Sequence, residues 1–149
     1  APALLWTVFD PGRDYVIWHP EGWTPEVDST DDYTDYYWSP GETEAVSVTC
    51  IHGDVPTLRD WVAEAIEYYT EEFGGEADER YDGRTLGGRP AVVLVWHEAN
   101  AGDQPALVLS ISAVTDTIAC DVLWFSDPGN ETEDAALFAS FVASFAFAN

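Results

Sequence analysis

Three histidines, two cysteines and a run of aspartates are the residues of this chain whose types suit chemistry. His19, His52 and His97 each end a segment with strand character. The pairs His52-Gly-Asp54 and His97-Glu98 would ligate a metal if the strands brought them together. Three unrelated strand-end histidines account for the same pattern. Asp28, Asp31, Asp32 and Asp35 cluster ahead of Tyr36. Carboxylate oxygens suit Ca2+, but their spacing is not that of a calcium loop, so the four are candidates only and no other cofactor is expected. The chain has no G-x-S-x-G, no phosphate-binding loop and no Cys-x-x-Cys. No two carboxylates stand out as a poised acid–base pair, so the expectation is a protein that is not an enzyme.

Cys50 and Cys120 both fall in predicted strands, on apolar faces. An even cysteine count favours a disulfide in an exported protein. That bridge would close a long loop and contribute on the order of 4 kcal/mol in the chain-entropy account. Two buried free thiols are the alternative. The chain opens Ala1-Pro-Ala and contains no methionine, which reads as a mature chain after signal-peptide removal, hence extracellular or at the cell surface. Asn130-Glu131-Thr132 is an N-glycosylation sequon ahead of a helix, so a glycan on Asn130 is expected if the protein is surface-displayed. Trp23, Tyr33, Tyr36 and Tyr37 suit stacking on sugars, although packing explains them too.

The net charge is -23, from 28 acids against five arginines and no lysine. Such a surface repels DNA, RNA and anionic lipid and keeps the chain solvated. No apolar run is long enough to span a bilayer.

The elements that must position these residues are legible in the hydrophobic periodicity. Residues 91–97, 105–114 and 117–125 read as three consecutive strands, the middle of an antiparallel sheet. Leu107, Leu109 and Ile111 share one face of their strand, Ser110 and Ser112 the other; Ile118, Cys120, Val122 and Trp124 also share a face. Asn100-Ala-Gly-Asp and Thr115-Asp116 supply the turns. Upstream, residues 15–19, 33–38 and 44–51 are strands, with Val46, Val48 and Cys50 pointing one way. Residues 57–73 form a helix capped by Thr57, with Leu58, Trp61, Val62, Ala65 and Tyr69 as its apolar stripe and Arg59, Glu64, Glu67 and Glu71 facing water. The stripe reads as core against the sheet, with a ligand groove as the lesser reading. Gly74-Gly75 ends that helix. A second helix, 132–144, is capped by Thr132 and presents Leu137, Phe138, Phe141, Val142 and Phe145.

The order of these pieces resembles the PsbP-like family, named for the extrinsic subunit of the oxygen-evolving photosystem. The matching residues are Tyr15-Val-Ile-Trp-His-Pro-Glu-Gly-Trp23, the helix headed by Thr57-Leu58, Leu86-Gly-Gly-Arg-Pro-Ala91, and the closing Phe141-Val-Ala-Ser-Phe-Ala-Phe147. The resemblance implies an α+β fold, an α/β/α sandwich with a central antiparallel sheet between helices 57–73 and 132–144. It also implies a binding or assembly role for a protein partner or divalent cation, and it carries over no functional residue.

Residues 1–10 lie outside the resemblance. They form an N-terminal strand with Leu4, Trp6 and Val8 on one face and Leu5, Thr7 and Phe9 on the other. The division expected is therefore an assembly segment, 1–10, and a PsbP-like domain, 11–149. Leu4, Leu5, Trp6, Val8 and Phe9 are the expected self-association residues, docking into a neighbouring copy head to tail to build an extracellular fibre. The alternatives are that the strand folds back onto its own sheet edge or helices, and that the chain is a soluble periplasmic or lumenal binding module.

Overall fold

The computed structural model describes residues 5–28, 30, 33–38, 45–81 and 83–148, the side chains of 34–38, 130 and 131 excepted. Asp31, Asp32 and Leu4 therefore lie outside the described residues. Alternating apolar residues generate the strands of one large sheet. Its strands are β3 (Pro25–Val27), β4 (Tyr33–Trp38), β5 (Ala45–His52), β6 (Glu76–Arg80), β8 (Arg89–His97), β11 (Leu107–Val114) and β12 (Ile118–Ser126), with β7 (Thr85–Leu86) paired to β8. The order is β3-β4-β5-β12-β11-β8-β6, antiparallel throughout. The expected meander is its centre. The turn expected at residues 100–103 is itself a small hairpin, β9 (Asn100–Ala101) with β10 (Gln104–Pro105).

Each face of the sheet carries its own core. On one face Val92, Leu94, Trp96, Val108 and Leu123 pack against α1 (Leu58–Phe73), which buries Trp61, Val62, Ala65, Tyr69 and Phe73. Thr57 caps α1 as expected, its hydroxyl accepting from the Asp60 N–H at 3.2 Å. On the opposite face Val46, Val48, Val122 and Trp124 pack against Phe138, Phe141 and Phe145. The last of these follows α2 (Glu131–Ser144); Thr132 lies inside that helix rather than capping it, because a 3-10 turn, Pro128–Asn130, precedes Glu131. The result is the α/β/α sandwich.

A second, three-stranded sheet, β1-β2-β13, lies beside α2. Here β1 (Trp6–Phe9) pairs with β2 (Tyr15–Pro20), and β2 with β13 (Ala146–Phe147). The expected boundary after residue 10 falls in the connection of the β1–β2 hairpin, so residues 6–9 belong to the same folded body. Trp6 meets Phe141 edge-on at 5.2 Å, and Phe9 packs near Tyr15 and His19. Within this chain the N-terminal strand thus folds back on its own sheet. No described helix is long and apolar enough to cross a membrane.

Candidate functional site

The two helices do not cover the large sheet equally. Among the described residues α1 lies mainly over β12, β11 and β8 rather than over the same face of β5 and β4. The alternation of β5 explains this. Its Val46, Val48 and Cys50 enter the α2-side core, which leaves Ser47 and Thr49 on the α1 side. Two half-buried hydroxyl residues give a helix little apolar surface to cover. The outcome is a groove of about 690 Å3 between the outer flank of α1 and the β5 side of the sheet.

Ser47 and Thr49 line its sheet side, opposite Leu123 and Asp121 of β12 in the strand register. The helix side is a row spaced by four residues, Glu64, Tyr68 and Glu72, with Trp61, Tyr69 and Phe73 below it. That row spans about 12 Å at the helical rise of ~1.5 Å per residue. Tyr33, Asp28 and the β9–β10 hairpin at Ala101 and Gly102 complete the border. Tyr68 is 65% exposed and stands edge-on to buried Tyr69, centroids 5.4 Å apart.

Three hydrogen bonds hold the helix wall in place. The Tyr69 phenol donates to the Asp121 carboxylate, which also accepts from Ser112 Oγ at 2.9 Å. The Trp61 indole N–H donates to the Cys120 carbonyl at 3.0 Å. The Trp96 indole N–H donates to Thr70 Oγ1 at 3.1 Å. A buried carboxylate satisfied by two hydroxyls fixes its neighbours in one arrangement. Among the described lining residues Asp28, Glu64, Glu72 and Asp121 are acids and none is arginine or histidine, so the groove is electronegative.

Of the candidate residues singled out in the sequence, Asp28 and Tyr33 line the groove, and the histidines and cysteines lie elsewhere. His52 lies on β5 beside Asp14, Nδ1 to Oδ1 3.3 Å, and His97 on β8 lies 4.0 Å from an Asp78 oxygen. Strands β12 and β11 separate the two histidines, and buried His19 lies on the small sheet with Nδ1 2.9 Å from the Pro20 carbonyl. The three histidines are not brought together, and no group of three metal-ligating side chains forms among the described residues. Of the four aspartates, Asp28 borders the groove and Asp35 stands opposite Thr49 in the register. Asn130 ends the 3-10 turn before α2. Trp23 is not a surface platform but packs on Phe141 at 5.7 Å. Cys50 and Cys120 are bonded to each other as a disulfide across β5 and β12, both fully buried.

In the sequence a ligand groove on the helix 57–73 stripe is only the lesser reading, because Trp61, Ala65 and Tyr69 read as core and Glu64 as part of a solvated face. The spacing Glu64-x3-Tyr68-x3-Glu72 on the flank of an apolar stripe was the available signal.

No protein-family model matches the chain, and no curated protein matches its sequence. Solved structures do. The fold is similar to that of the cyanobacterial PsbP, CyanoP, of Synechocystis sp. PCC 6803, with a TM-score of 0.68 at 14% identity over 99% of this chain and 95% of that one. It is also similar to LpqN, involved in cell envelope biogenesis of Mycobacterium tuberculosis, with a TM-score of 0.51 at 12% identity over 99% and 93%. The architecture is the PsbP-like fold.

Proposed function

We propose that this protein is an exported, non-catalytic binding and assembly module that receives a segment of a partner protein in the groove between α1 and β5. The observation that carries the reading is the groove itself: about 690 Å3, bordered by tyrosines and carboxylates, between α1 and the β5 side of the sheet. Its volume is that of a ligand site rather than a packing defect. Two further points support the reading. The disulfide suits an oxidising compartment. LpqN, with the same fold, is involved in cell envelope biogenesis.

The test is site-specific photo-crosslinking in the cells that make the protein. A photoreactive residue at Tyr68 should trap a partner protein, and the adduct should vanish when Ser47→Trp fills the groove. The same adduct from a probe at Tyr81, exposed and outside the groove, would remove the reading.

A second reading is favoured by β1. It is the outer strand of the small sheet; Leu5 just before it and Val8 within it are 71% and 48% exposed. An apolar edge strand is a template for strand addition, so a second copy could join there and propagate a head-to-tail extracellular fibre. In that setting Asn130 would carry a glycan, and the mass of the native material checks it. Ca2+ at Asp28 and Asp35 belongs to the same proposal, as a neutraliser of the acidic surface.

A further inference from the structure

We infer that the groove selects an extended, arginine-bearing segment of its partner; this rests on the reading of the groove as a binding site and specifies what enters it. Three features of the groove point to that chemistry. The first is the order along α1. Glu64 and Glu72 are carboxylates flanking Tyr68, an exposed aromatic, and all three border the groove. A guanidinium is the side-chain group that satisfies both components at once, because it is a planar cation that stacks on an aromatic face and bonds a carboxylate through a fork of donors. An ammonium would meet the carboxylates and stack less well.

The second is charge complementarity. Asp28, Glu64 and Glu72 are exposed acids on the groove's border, and no described lining residue is cationic, in a chain with 28 acids, five arginines and no lysine. The field in the groove steers cations inward and repels acidic segments, including those of a second copy of this chain.

The third is length. The helix wall from Trp61 to Phe73 runs about 18 Å, the span of about five extended residues. Glu64 and Glu72 are about 12 Å apart along the axis, close to the ~13 Å between residues four apart on one face of an extended chain. Ser47 on the opposite wall supplies a hydroxyl that suits the backbone of such a segment. A single small cation fills neither the length nor the volume.

The probe is a blocked pentapeptide with arginine first and last and alanine between, titrated into isotopically labelled protein while amide shifts are followed. Shifts should fall on residues 64–72 and on Ser47 and Thr49. The citrulline peptide, which keeps the shape and loses the charge, should bind about five- to tenfold more weakly, and so should the E64Q/E72Q double variant with the arginine peptide. Tyr68→Leu should weaken the arginine peptide severalfold and leave the citrulline peptide nearly unchanged. All three positions are exposed, so these variants fold. Equal binding of the arginine and citrulline peptides overturns the inference. So does spermine shifting the same amides more tightly than the peptide, which would assign a free polyamine. An uncharged leucine peptide that shifts the groove amides where the arginine peptide does not would overturn the cation and leave the groove as a binding site. A crosslinked partner unaffected by Ser47→Trp would instead remove the site itself.

Discussion

The phenol of Tyr69 on α1 donates to the carboxylate of Asp121 on β12, and so ties the helix wall of the groove to the centre of the sheet. Both residues are buried, and Ser112 from the next strand joins the network. The bond places an ionisable group in the α1-side core, so its loss costs more than an exposed hydrogen bond.

Tyr69→Phe keeps the ring and deletes the donor. Chemical denaturation should show a loss of about 1.5–3 kcal/mol. The groove should loosen with it, read as faster hydrogen exchange in α1 than in α2. An unchanged denaturation midpoint would show that the network adds nothing.

The disulfide closes a loop with a sequence separation of 70 and joins β5 to β12, directly opposite in register. Replacing both cysteines by alanine should lower stability by about 2–4 kcal/mol, a fall on the order of 10 °C in melting temperature. Reduction should do the same. A melting curve insensitive to reductant in the wild type contradicts this.

Net charge -23 makes folding sensitive to screening. The Debye length falls from about 30 Å at 0.01 M salt to about 3 Å at 1 M, so the melting temperature should rise across that range. Calcium acting at Asp28 and Asp35 should add a saturable rise that Asp28→Asn with Asp35→Asn erases. A melting temperature flat in salt would sink the repulsion argument, and a calcium effect equal in the variant would remove the site.

Trp6 contributes an edge-on ring contact to Phe141 across 5.2 Å, so Trp6→Ala should cost about 1–3 kcal/mol, less than for a fully buried ring. Deleting residues 1–10 should destabilise the domain for the same reason. For self-association the informative variant is Leu5→Lys with Val8→Lys, which charges the edge and leaves Trp6 and Phe9 in place. Sedimentation should show concentration-dependent assembly of the wild type and none of the variant. A wild type that stays monomeric at millimolar concentration removes the fibre.

Much of this protein was decided locally and is legible in the chain. The period-two runs in 44–51 and 117–125 named which side of each strand is apolar, and Cys50 and Cys120 fell on matching faces. Thr57 and Gly74 bounded α1, because a cap depends on the few residues around it. Only the tertiary structure decided what is adjacent across the sheet. Strand order placed β12 and β11 between His52 and His97, so those two histidines cannot share one metal ion. A hairpin connection drew residues 6–9 onto β2, although their apolar pattern suits a neighbour's sheet equally well, since pairing partners are not encoded in periodicity. The groove arises in the same way. Ser47 and Thr49 say only that one side of β5 is polar, and Glu64, Tyr68 and Glu72 say only that one flank of α1 faces outward. Their meeting depends on where α1 lies over the sheet, which is fixed by Val62, Ala65 and Phe73 packing against β8, β11 and β12, residues far away in the chain.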